Sequence, residues 1–155
     1  MQFIKRKNKN KRICLCISNK YGLQILKLLR KKFSKIDVIS IKKIENSKKI
    51  VICNNKKKFY KFLKNKQYDF LILVYWPYII KKQYFNHFKN SINFHPSYLP
   101  YGRGWYPHIH SINNNNFPLG VTLHKIDEGV DTGPIWVKKK ISKKNFFTSS
   151  EIYKK

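Results

Sequence analysis

The sequence predicts an α/β protein built on an open, mostly parallel sheet with helices on both faces. Three observations carry this. From Arg12 onward, apolar runs of strand length alternate with stretches of helical period. The run "YDFLILVYW" is almost continuously apolar, as a strand buried on both sides of a parallel sheet must be. A chain of 155 residues with 42% hydrophobic content is long enough for one domain with a real core and too short for two.

Each element follows from its residues. "ICLCIS" is the first strand, with Cys14 and Cys16 alternating and so on one face. After the turn "NKYG", "LQILKLLRKKF" places Leu23, Ile25, Leu26, Leu28, Leu29 and Phe33 at a helical period. "IDVISI" and "KIVIC" read as strands, and "KKFYKFLKNK" as a helix with Phe59, Phe62 and Leu63 on one side. "YDFLILVYW" is followed by a short helix around "KKQYFNHF" and the strand "SINF". "YPHIHSINNNN" suits one short helix ending in a loop, and "GVTLHKI" and "PIWVKKKI" suit two strands flanking the turn "DEGVDTG". Thr148 and Glu151 have capping-box spacing for a last helix that stops almost as it begins, so the domain is expected to be short at its C-terminus.

The formal charge of +27 suggests a nucleic acid, an anionic membrane or a phosphorylated substrate as partner. Lysine carries nearly all of it, however, with arginine only at positions 6, 12, 30 and 103, and Ile, Asn, Phe and Tyr are enriched beside it. An AT-rich coding sequence gives this bias, so charge alone does not choose a partner. The apolar runs are too short for a secretory core or a bilayer span, and a cytoplasmic protein is expected. Cys14, Cys16 and Cys53 read as buried thiols; there is no CxxC, and no metal site is expected. The first strand runs into "SNKYGLQ" with a single glycine, which argues against a dinucleotide fingerprint, and there is neither a P-loop nor a GxSxG elbow.

Chemistry concentrates in two segments. In "INFHPSYLPYGRGWYPHIH", Asn93 and His95 lie two apart at a strand end and point the same way, toward the edge where open α/β sheets bind ligands. Pro96 keeps His95 extended and stops the strand. A histidine that only caps the strand fits this segment equally well. In "DEGVDTGP", Asp127, Glu128 and Asp131 gather three of the chain's seven acids within five residues. An acidic hairpin turn is the plain explanation. The alternative is that Asp131 pairs with His95, fixing its tautomer and raising its pKa.

Together, "INFHPSYLPYGRG" and "GVTLHKIDEGVDTGPI" resemble the two signature segments of the folate-dependent formyltransferases, over about residues 68–137. That family includes enzymes acting on glycinamide ribonucleotide, methionyl-tRNA and nucleotide-linked amino sugars. The resemblance implies a Rossmann-like catalytic domain across residues 1–155, in which Asn93, His95 and Asp131 surround the formyl group of 10-formyltetrahydrofolate. Asn93 and a charged His95 would stabilise the oxyanion, while Asp131 would hold the imidazole and help move the proton. No metal is required. The resemblance also implies a folate pocket from Trp76, Pro77, Tyr78 and Ile79 and from Ile126, Asp127, Glu128, Gly129 and Val130, largely through backbone groups. Core packing is the alternative for Trp76 and Tyr78.

"YLPYGRGWYP" resembles the sugar-modifying branch most, which makes Tyr101, Arg103, Gly104, Trp105 and Tyr106 the acceptor side. Arg103 would bind a phosphate, or else brace its loop, and Trp105 or Tyr106 would line a sugar face. The expected reaction is formyl transfer to a nucleotide-linked amino sugar, with glycinamide ribonucleotide or methionyl-tRNA as alternative acceptors and a homodimer left open. A truncated, non-catalytic α/β protein that binds nucleic acid is the reading from a different class.

Overall fold

A computed structural model describes residues 10–44, 50–64, 66–114, 116–142, 148 and 151. The basic N-terminal stretch and most of the expected C-terminal helix lie outside these residues. Seven strands take the order β3-β2-β1-β4-β5-β6-β7 in one sheet, which is the expected α/β fold. The chain divides into two compact units, Met1–Ser91 and Ile92–Lys155.

The first unit contains β1 (Arg12–Ile17), α1 (Lys20–Arg30), β2 (Lys35–Ser40), β3 (Ile50–Ile52), α2 (Lys56–Leu63), β4 (Phe70–Val74) and α3 (Lys82–Phe85). β1 pairs in parallel with both β2 and β4, and β2 pairs in parallel with β3. β1 is thus enclosed on both sides, and Cys14 through Ile17 are fully buried. The connections β1 to β2 and β3 to β4 run in opposite directions, so right-handed crossovers put α1 and α2 on opposite faces.

The expected turn "NKYG" is instead the start of α1. The Asn19 side chain accepts from the backbone N–H of Tyr21 and Gly22, satisfying donors that the first turn leaves free. Leu26 and Leu28, two positions apart, lie on opposite sides of α1: Leu26 is 5% exposed, whereas Leu28, read in the sequence among the apolar positions, is 58% exposed. Asn55 caps α2 in the same way, through the N–H of Lys58.

The three cysteines belong to this core. Cys14 Sγ and Cys16 Sγ lie 3.9 Å apart on one face of β1, and Cys53 is also buried. Burial pushes the thiols of Cys16 and Cys53 up from their ordinary pKa.

The second unit holds most of β5 (Asn90–His95), then α4 (Pro107–Asn113), β6 (Gly120–Lys125) and β7 (Ile135–Lys140). These strands pair antiparallel, β5 with β6 and β6 with β7. Of the last helix, Thr148 and Glu151 are described, and they form the expected capping box: the Glu151 carboxylate accepts from the Thr148 N–H at 2.8 Å, and the Glu151 N–H reaches the Thr148 hydroxyl at 3.3 Å. No helix among the described residues is long and apolar enough to cross a membrane.

The position of α1 is testable by substitution. Leu26→Ala should cost about 2–5 kcal/mol of stability, whereas Leu28→Ala should cost less than about 0.5 kcal/mol, read from urea unfolding midpoints.

Candidate active site

The register of β5 on β6 assembles the site. Asn93 pairs with His124 and His95 with Thr122. Residues directly opposite on paired strands share a face, so these four side chains form one polar square, and Thr122, His124 and His95 are buried. Thr122 secures the chain after His95: its hydroxyl donates to the Ser97 carbonyl at 2.7 Å and accepts from the Leu99 N–H at 3.1 Å.

Asp131 closes the square from the loop after β6. Its Oδ1 accepts from Asn93 Nδ2 at 3.1 Å and lies 3.4 Å from His124 Nε2. Its Oδ2 accepts from the Gly104 N–H at 2.9 Å and lies 3.4 Å from His95 Nδ1. The three residues expected to be catalytic are therefore brought together, and the pairing of Asp131 with His95 is present. Asp131 has a left-handed backbone, φ 53, a conformation aspartate tolerates better than most residues. The turn beneath it is braced by Asp127, whose Oδ1 accepts from the Gly129 N–H and the Thr132 hydroxyl. At Gly133 a Cβ would stand 2.0 Å from the Lys125 carbonyl oxygen, so only glycine lets the loop return this close to β6.

The charge balance departs from expectation at His95. Nε2 lies 2.8 Å from the Gly102 carbonyl and Nδ1 faces Asp131, so acceptors flank both nitrogens and favour a charged ring. Burial works in the opposite sense and prevails: the pKa of His95 is lowered by desolvation, against the upward pull of Asp131 and the Gly102 carbonyl, with His124 adding a smaller downward push. The expected rise is absent because His95 is only 5% exposed. For Asp131, burial pushes the carboxyl up, but His124, the charge of His95 and the Gly104 N–H together outweigh it and leave the pKa lowered. The resting pair is a carboxylate beside a largely neutral imidazole.

The loop between β5 and α4 carries the expected acceptor residues. Gly104, whose N–H holds Asp131, has φ +81, a conformation that favours glycine. Arg103, Trp105 and Tyr106 are exposed, Trp105 at 67%, and the rings of Trp105 and Tyr106 lie 6.1 Å apart. The Arg103 guanidinium makes no hydrogen bond or ion pair with the described residues. Tyr101 is 44% exposed and packs its ring 5.4 Å from Phe117.

The remaining expected folate residues fall in separate units. In the second, Glu128, Gly129 and Val130 are exposed and Ile126 is half-buried, which leaves the rim of the acidic turn open. In the first, the segment of Trp76 to Ile79 follows β4, where Tyr75 takes φ 53. Trp76 packs 4.8 Å from Phe59 and edge-on to Tyr78 at 5.6 Å, as core packing would have it, yet its indole nitrogen is buried without a hydrogen-bond partner. Tyr78 donates to the Asn54 carbonyl, and Pro77 is half-buried beside it. Ile79 is exposed, and its carbonyl accepts from Tyr60.

Sequence reasoning missed His124. The signal was in "GVTLHKI": a period of two puts Thr122 and His124 on one face, with His124 three residues ahead of the acidic turn.

The Asn, His and Asp cluster thus gathers at the end of β5, the edge at which open α/β sheets bind ligands. The formyl transferase family model matches residues 1–155, and the chain belongs to that family. It is 37% identical over 62 residues to the dTDP-4-amino-4,6-dideoxyglucose formyltransferase of Mycobacterium bovis, covering 40% of this chain and 26% of that protein. It is 35% identical over 88 residues to the methionyl-tRNA formyltransferase of Finegoldia magna, covering 56% and 28%. Among solved structures, a formyltransferase of Anoxybacillus kamchatkensis in complex with UDP-4,6-dideoxy-4-formamido-L-AltNAc and tetrahydrofolate superposes with a TM-score of 0.65 at 26% identity, covering 92% of this chain and 67% of that one. The matched stretches thus span about a quarter of the length of these curated relatives.

The lowered pKa of His95 has a consequence for stability. Below its ordinary value of 6.5, the unfolded chain takes up a proton that the folded ring resists, so stability is complete above 6.5 and declines as pH falls through it. His108, also lowered by burial, acts in the same sense. The thermal unfolding midpoint should be lower at about pH 5.5 than at about pH 7.5, and His95→Gln should flatten that slope.

Proposed function

We propose that this protein transfers a formyl group from 10-formyltetrahydrofolate to the primary amine of a nucleotide-linked amino sugar, in the cytoplasm. The observation that carries this reading is the closed arrangement of Asn93, His95 and Asp131, four of whose contacts converge on one carboxylate. The co-substrate supplies an activated formyl carbon, and the chain's residues manage one proton and one developing negative charge. As the acceptor nitrogen bonds to that carbon, His95, neutral at rest, takes the proton the nitrogen gives up, and Asp131 stabilises the resulting imidazolium. The same proton then passes to the folate nitrogen as its bond to the formyl carbon breaks. In this way the proton leaves with the tetrahydrofolate and none accumulates on the protein.

Asn93 has both amide hydrogens engaged at rest, one with Asp131 and one directed at His124. Its share in stabilising the oxyanion requires redirecting one of them as the formyl group arrives. Arg103 is the group for an acceptor phosphate, and the exposed rings of Trp105 and Tyr106 offer a sugar face. Folate is held at the open rim of residues 126–130. The likeness to methionyl-tRNA formyltransferase, together with the +27 charge, favours transfer RNA as the second acceptor to test.

The assay is tetrahydrofolate release from 10-formyltetrahydrofolate, offered nucleotide-linked amino sugars, glycinamide ribonucleotide and methionyl-tRNA in parallel. Turnover is expected with an amino sugar, and His95→Ala should lower kcat by about 10²- to 10⁴-fold while folate affinity is retained. Full activity in His95→Ala, or no turnover with any of these amines despite folate binding, would overturn the proposal.

A further inference from the structure

His124 has no direct task in the proposed reaction, yet it forms one corner of the polar square. It is 2% exposed and sits opposite Asn93 on β6. Its Nδ1 lies 2.7 Å from the Lys125 carbonyl oxygen, which can only accept, so Nδ1 carries a hydrogen. In the neutral ring Nε2 is then a lone pair, 3.3 Å from Asn93 Nδ2 and 3.4 Å from Asp131 Oδ1. The titratable groups facing the ring are Asp131 and His95, whose ring centroid is 6.2 Å away edge-on; across β7 its strand partner is Ile135. The β6–β7 register shifts between Leu123 and His124, the kind of irregularity that aims a side chain beside a site.

An asparagine amide can sit in two orientations related by a half-turn. Only the one with nitrogen inward satisfies both Asp131 Oδ1 and the bare Nε2 of His124; the reverse sets oxygen against two acceptors. We propose that His124 is a positioning residue: anchored at Nδ1 by the Lys125 carbonyl, it uses Nε2 to lock the Asn93 amide in one orientation against Asp131. The amide then starts every turnover in the same orientation, and only one N–H has to swing toward the formyl oxygen.

The kinetic part of the test rests on the proposed formyl transfer, and a second readout does not. Three variants separate the ring's two nitrogens: His124→Leu removes both, His124→Asn can keep the contact made by Nδ1, and His124→Gln can restore an acceptor near Nε2. Leu and Asn should lower kcat by about tenfold to a hundredfold with KM for both substrates nearly unchanged, and Gln should recover most of the loss. Without any substrate, hydrogen exchange at the Asn93 side-chain amide, followed by NMR, should be slow in the native protein and in His124→Gln and faster in His124→Asn. Equal kcat and equal exchange for Gln and Asn would overturn the proposal, and these polar variants decide the matter if His124→Leu does not fold. If the native protein transfers no formyl group, the proposed function fails while the exchange comparison still tests the role of His124.

Discussion

The carboxylate of Asp131 is the constraint on which the site depends. Four groups from three segments converge on its two oxygens: Asn93 and His95 from β5, His124 from β6, and the Gly104 N–H from the loop before α4. None of these segments could hold the carboxylate alone, and each would carry an unpaired polar group without it. The β5–β6 register, the Thr122 tether on the chain after His95 and the Asp127 brace under the turn all serve to deliver that one group. A slip of one residue between β5 and β6 would turn Asn93 and His95 to the opposite face and leave Asp131 without them.

Around that anchor, burial and hydrogen bonding pull His95 in opposite directions. Flanking acceptors favour a second proton, and the dry surroundings refuse it. The left-handed backbone at Tyr75, Tyr106 and Asp131, the three non-glycine positive-φ residues among those described, falls on the loops after β4, β5 and β6. These are also the loops in which the sequence places the folate, acceptor and catalytic residues, in keeping with the tendency of strained backbone to gather at functional segments.

Much of this was legible in the sequence, and the gaps have physical reasons. The parallel core announced itself through continuous apolar runs such as "FLILV", and the Asn93 and His95 pair through a spacing of two ahead of a proline. The start of α1 was misjudged because Asn19 acts through its side chain as a cap, which apolar periodicity does not register. His124 escaped because its importance lies in its strand partner thirty-one residues earlier, and pairing register is a non-local property. The direction of the His95 shift was wrong for a related reason: the sequence names the neighbouring carboxylate, but only the packed fold gives the depth of burial.

The distribution of sulfur gives the protein a property unrelated to catalysis. All three thiols are sequestered in the first unit, and no cysteine occurs beyond position 53. Because a thiolate must form and meet solvent before it can react, alkylating reagents are shut out of the native state and admitted only when the first unit opens around each thiol. The native chain therefore carries its own reporter for the opening of one half. Its other half is blank, so a single cysteine introduced there at an exposed position would accept a probe with the natural thiols left in place.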